Sequence, residues 1–337
     1  MSENIGEAEG VLVADDTGFI KEGEKSCGVQ RQYTGTLGKV CNCQIGVFLT
    51  YAGSMGHTPL DRRLYIPESW IDDSSRCTEA GIPEDTKFQT KSEMALEMIQ
   101  EATVAGVPYK WVTGDCAYGD YDAMRNWLEE NGKSYVLNIS AKEHIDGKKT
   151  GNILHKLPND GWFEASCGKG SKGERIYDWQ LVETSGVTTA GFKRVILVRR
   201  SKSKPYEMKA YITFADDATP DLRLVEVAGT RWTVESCYSE HREISDFSMF
   251  TWRAKAKSGL TSTKFALIKV GTQKKNFPEI FLKKNFPEIF LIITFAMLAL
   301  ALLTVLSAKS LDTKTLQQHN PDSSSLDDFK RGRNLRV

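Results

Sequence analysis

Apolar positions along the chain first fall in short runs, then at helical spacings, then in short runs again. Gly10-Val-Leu-Val-Ala-Asp15 is an apolar run that stops at Asp15, Asp16, Thr17 and Gly18, which predicts a strand ending at carboxylates. Cys43 to Tyr51 predicts a second strand, after turn chemistry at Gly35 to Gly38, and Arg63 to Ile66 a short third one closed by Pro67. The period then lengthens. Thr90 with Glu93 has the spacing of a capping box, and Met94, Leu96, Met98, Ile99 and Ala102 predict a helix that Gly106 stops. Tyr109 to Thr113 predicts a strand with Asp115 just past its end. Asp120 is placed to cap a helix carrying Met124, Trp127 and Leu128, ended by Asn131-Gly132, and Ser134 to Ile139 predicts another strand.

Strands dominate next, over Gly161 to Ala165, Arg175 to Glu183, Arg194 to Arg199 and Met208 to Phe214. Helical spacing returns from Asp221 through Leu222, Leu224, Val225 and Val227. After Gly229 a second helix is expected from Arg231 to about Ile244. Three strands followed by alternating helices and strands predict an α/β fold, a mixed sheet with helices on its faces. The ribonuclease-H-like fold has this element order.

The remainder is less regular. Lys274 to Leu282 (KKNFPEIFL) recurs at once as Lys283 to Leu291, two copies with a helix-breaking proline in each, and reads as a local duplication. Ile289 to Ala308 carries no charge and is long enough to span a bilayer, although a helix buried in a soluble core has the same composition. The polar tail from Leu311 is expected to be loose, with its terminal Lys/Arg cluster solvated.

Composition narrows the classes. Lys+Arg and Asp+Glu are 44 each, for a formal net charge of +0, so contact with nucleic acid must come from local patches rather than bulk charge. The 7 cysteines are odd in number and scattered, and are expected to be reduced thiols rather than a disulfide framework or metal site. The acidic, polar start MSENIGEAEG does not read as a leader, and a cytoplasmic protein is expected.

Candidate chemistry lies in the acidic residues. Asp15 and Asp115 each follow a predicted strand, and on neighbouring strands they would meet at one sheet edge. Adjacent carboxylates raise each other's pKa unless a cation lies between them. Hard divalent ions such as Mg²⁺ suit those oxygens, and two such ions can serve phosphodiester cleavage. The plainer alternative is ordinary turn chemistry for an Asp at a strand end. Glu235, in Arg231-Trp-Thr-Val-Glu235, is the natural third ligand. Arg231 and Arg242 share its helical face; a surface ion pair between Arg231 and Glu235 is the alternative there.

A resemblance adds to this reading. Val11 to Phe19 (VLVADDTGF), Gly28 to Tyr33 (GVQRQY), Asn42 to Gln44, Leu64 to Trp70 (LYIPESW), Trp111 to Gly119 (WVTGDCAYG) and Arg231 to Glu235 (RWTVE) resemble blocks of the insertion-sequence DDE transposases of the IS 701 type, relatives of the IS4-like group. The resemblance runs from about residue 10 to 240. It implies a ribonuclease-H-like catalytic core divided as 1–140, a β-rich insertion over 141–220 and a helix over 221–244 carrying the last acidic residue. An irregular insertion over 245–291, a core helix over 292–310 and a flexible tail over 311–337 would follow. It also implies metal-dependent DNA cleavage and strand transfer at element terminal repeats and target DNA, with Asp15, Asp115 and Glu235 as catalytic ligands of two Mg²⁺ (or Mn²⁺) ions. Asp16 is held in reserve for Asp15, because strand phase decides which points inward. Arg231 and Arg242 are the DNA-contact candidates. They stand at the Arg and Lys positions of the IS4-like pattern, whose Tyr position is Ala228 here.

Two departures matter. Few residues precede Asp15 where the family has a substantial N-terminal region, and the pattern is lost between about 241 and 290. A truncated copy is therefore expected, with a homodimer left open. An inactive remnant that at most binds DNA is one alternative. A single-pass membrane protein anchored by 289–308 is the other.

Overall fold

The computed structural model describes residues 5–35, 37–186 and 189–232. Twelve strands and seven helices follow one another in it. β1 (Val11–Ile20), β2 (Gln30–Thr34), β3 (Lys39–Gly53) and β4 (Gly56–Tyr65) come first, with β1, β2 and β4 all paired antiparallel to β3, followed by α1 (Glu68–Ile71), α2 (Ser74–Glu79) and α3 (Lys91–Val104). β5 (Trp111–Gly114), α4 (Cys116–Gly119), α5 (Asp122–Glu130) and β6 (Ser134–Ile139) come next, then the small β7 (His144–Ile145) and β8 (Lys148–Lys149) and α6 (Thr150–Leu154). β9 (Phe163–Gly170), β10 (Gly173–Glu183), β11 (Phe192–Arg200), β12 (Met208–Asp216) and α7 (Asp221–Thr230) complete the described chain.

One ten-stranded sheet organises them, in the order β2-β3-β1-β5-β6-β12-β11-β10-β9, with β4 also paired to β3. β1 runs antiparallel to β3 and parallel to β5, and β5 runs parallel to β6. This mixed sheet flanked by helices is consistent with the ribonuclease-H-like fold. β12 joins β6 antiparallel, so the strands of 163–216 continue the same sheet.

β1 is covered on both faces, which is why Val11 to Ala14 is an unbroken apolar run rather than an alternating one. Leu12 and Ala14 face Met94, Met98 and Ile99 of α3 together with Tyr118, Met124 and Leu128. Val11 and Val13 face Leu224, Val225, Val227 and Ala228 of α7. The period of two along the strand thus fixes which helix each β1 side chain meets.

Several local expectations are refined. β1 does not stop at Asp15: residues 15–20 keep pairing with residues 43–48 of β3, so both aspartates sit within the ladder. Asp120 does not cap α5. Tyr121 holds that position without a side-chain bond, and an Asp120 Oδ1 accepts instead from the Ser140 amide at 2.9 Å. Helix α7 runs through Gly229 rather than stopping there, because Gly229 lies against the Cys167 carbonyl, where a side chain would not fit. The capping box at Thr90 and Glu93 is present. The six described cysteines are free thiols.

No helix among the described residues is long and apolar enough to cross a membrane. Glu235, Arg242, the tandem repeat, the apolar stretch 289–308 and the tail lie outside the described residues.

Candidate metal centre

The parallel register of β1 and β5 sets Ala14 opposite Gly114, so Asp15 and Asp115 follow side by side where the pairing of these two interior strands ends. Asp16 is adjacent. The carboxylates of Asp15, Asp16 and Asp115 each offer an oxygen, and these oxygens lie within 4.8 Å of one another.

Strand phase gives the two β1 aspartates different cations. Asp15 has the parity of Val11 and Val13 and so emerges on the α7 side, where its Oδ2 accepts from Arg231 Nη1 at 3.2 Å. Asp16 has the parity of Leu12 and Ala14 and emerges on the α3 side, where its Oδ2 lies 3.0 Å from Lys91 Nζ. Asp115 is fixed by the chain itself: it is the N-cap of α4, with Oδ1 accepting from the Ala117 amide at 2.9 Å. Asp15 Oδ1 accepts from the Asp16 amide at 2.9 Å.

Electrostatics at the cluster are unbalanced. Asp15 retains only 13% of its side-chain exposure, and burial pushes its carboxyl up to about 7; Arg231 opposes that rise, while Asp115 and Asp16 add to it. The Asp115 carboxyl is raised too, by burial first and by Asp16 second, against the Ala117 amide and the more distant Arg231 and Lys91. Two cations do not neutralise three gathered carboxylates. An oxygen-only donor set that resists ionising is the chemistry that a hard divalent cation completes, so these residues fit such an ion.

Of the residues singled out in the sequence, Asp15, Asp16, Asp115 and Arg231 are brought together. Arg231 donates to Asp15, a contact 216 residues apart in sequence, and the expected pairing with Glu235 lies outside the described residues. Glu235 and Arg242 lie outside the described residues. Lys91 was missed. Its signal was local: a lysine as the first residue of α3 opposes the helix dipole and calls for an acidic partner elsewhere.

Residues 1–147 match the family model of the DDE superfamily endonucleases, a span that contains Asp15, Asp16, Lys91 and Asp115. This segment is similar to the DDE endonuclease domains. The chain is also similar to a probable transposase for insertion sequence element IS701 from Microchaete diplosiphon, 27% identical over 186 residues and 51% of this chain. The chain spans about half the length of that relative, as the similar part covers 45% of it. Arg231 lies beyond the domain match but reaches back to its first aspartate.

Proposed function

We propose that the protein is an insertion-sequence transposase that cleaves DNA and transfers the freed strand. The observation that carries this reading is the cluster of Asp15, Asp16 and Asp115, in which both Asp15 and Asp115 resist ionisation, where the β1–β5 pairing ends and within the span that matches the DDE endonuclease family model. Asp15 and Asp115 are the catalytic carboxylates, and Glu235, four residues past Arg231, supplies the third. The DNA is that of the element's terminal repeats and target, and Arg231 and Arg242 are the residues that would contact it.

Asp15, Asp115 and Glu235 would hold two Mg²⁺ or Mn²⁺ ions, with Asp16 able to share one; such a pair supplies an activated oxygen nucleophile and steadies the leaving oxygen of a phosphodiester. The protein's own part is to keep the oxygens in place beforehand. Arg231 Nη1 holds Asp15 Oδ2, Lys91 Nζ holds Asp16 Oδ2, and the Ala117 amide holds Asp115 Oδ1. The three carboxylates are thereby held with oxygens within 4.8 Å of one another, so little rearrangement is needed when a cation and a phosphate arrive.

Nicking of a terminal-repeat duplex by the full chain in Mg²⁺ tests the reading. The native chain nicks, Asp115→Asn abolishes nicking by at least about a hundredfold, and the variant's DNA affinity is unchanged. Equal nicking by the native chain and Asp115→Asn would remove Asp115 from the chemistry. Absence of Mg²⁺-dependent nicking in the native chain would leave a remnant that at most binds DNA.

A further inference from the structure

Arg199 of β11 and Lys209 of β12 are direct cross-strand partners. Like charges placed opposite each other destabilise a strand pair. Two other arginines of β11 find carboxylates: Arg194 pairs with Glu129 at 2.5 Å and Arg200 with Asp178 at 3.1 Å. Among the described residues no ion pair is formed by Arg199 or Lys209, and Arg199 instead lies 4.2 Å above the Tyr177 ring. Lys209 is exposed, while Arg199 is half-buried.

Their position gives this unbalanced pair a use. Val195 and Leu197 of β11 and Tyr211 and Ala215 of β12 point to the face covered by α7, so Arg199 and Lys209, of the same parity, point to that face as well. Asp15 and Arg231 occupy that face. Ala210 pairs with Ile139, and Leu137 with Gly114, so Lys209 stands at the sheet end where Asp115 emerges. Burial around its stem lowers the Lys209 pKa first, Arg199 and Arg231 lower it further, and Cys116 and Asp115 oppose them. A bound anion would relieve that strain on the ammonium.

We propose that Arg199 and Lys209 form an anion site that takes a backbone phosphate of the DNA strand entering the carboxylate centre, and so position the scissile bond. The site rests on the DNA-cleaving reading above, and its two residues touch neither the reacting atoms nor the cations. The like-charge contact is what the fold tolerates to keep both cations open to a phosphate. An isolated pair of this kind costs stability without DNA and repays it on binding.

The test is binding of the full chain to a short fluorescein-labelled DNA duplex in EDTA, followed by anisotropy over a series of KCl concentrations. Lys209→Gln and Arg199→Gln should each reduce the slope of log affinity against log salt by about 1, on every duplex sequence alike, while Lys209→Arg keeps the native slope. Lys209→Gln should melt at or above the native temperature, because the repulsion has been removed while the contact of Arg199 with the Tyr177 ring is kept. Unchanged slopes in these variants would overturn the site. A melting temperature that falls in Lys209→Gln but not in Lys209→Arg would make the pair structural and overturn it equally. Reduced slopes without any Mg²⁺-dependent nicking support the phosphate site and sink only the cleavage reading. Nicking abolished by Asp115→Asn with slopes unchanged sinks only the phosphate site.

Discussion

Asp15→Asn should stabilise the metal-free protein, and by an amount that grows with pH. The folded carboxyl is raised from 3.8 to about 7. A carboxyl whose folded pKa is raised contributes stability that is fully present below its unfolded pKa and is lost as pH rises through the folded one. At about 1.4 kcal/mol for each tenfold change in proton affinity, the ionised form is about 4 kcal/mol less favourable in the fold than in the unfolded chain, an upper bound that relaxation of the site reduces. Asparagine keeps the oxygen that accepts from the Asp16 amide and carries no charge at any pH. In EDTA, urea unfolding of the native chain should therefore weaken relative to Asp15→Asn between about pH 4 and pH 7 and level off above. Millimolar Mg²⁺ should invert the order at pH 8 by stabilising the native chain alone. Unfolding curves that stay parallel from pH 4 to 8 would refute the reasoning, since they would show that the Asp15 charge costs the fold nothing.

Two further substitutions probe how the frame holds the centre. Gly229→Ala would drive a methyl into the Cys167 carbonyl and displace the end of α7, where Arg175 Nη2 donates to the Gly229 carbonyl at 3.0 Å; thermal melts should show a loss of about 1–3 kcal/mol, with nicking reduced because Arg231 is drawn off Asp15. Thr90→Ala removes the acceptor that holds the Glu93 amide at 3.2 Å; it should cost about 1 kcal/mol and raise amide exchange at the start of α3, where Lys91 meets Asp16, and equal exchange there would count against the capping box.

How far the sequence could be read is explained by which forces are local. Thr90 and Glu93 define a helix start three residues apart, and the structure has it. Val11 to Ala14 announced a strand because both faces of β1 are apolar, but its end could not be read, since Asp15 and Asp16 are held in the ladder by the non-consecutive β3. β2 was missed because Gln30–Thr34 is a polar strand at the edge of the sheet, with little apolar signal. The first half of β4 was missed because Pro59 sits inside it; a register shift between Leu49 and Thr50 of β3 accommodates that proline. At the centre, Asp115 was legible as a carboxylate just past a strand and Asp15 as its neighbour on the adjoining strand, although β1 runs on past Asp15. Which cation each would take was not, because Lys91 and Arg231 arrive from α3 and α7 on opposite faces of the sheet, and only the assembled packing decides that. The same holds for Arg199 and Lys209, whose conflict exists only once β11 and β12 are in register.

The central claim is that the gathered carboxylates hold divalent cations. It is tested most directly by titrating the full chain with Mn²⁺ and counting free ion by electron paramagnetic resonance, in parallel with Asp115→Asn. The account predicts saturable binding by the native chain that Mg²⁺ competes away and that Asp115→Asn loses by at least about tenfold in affinity. Identical titrations of the native chain and the variant would contradict it.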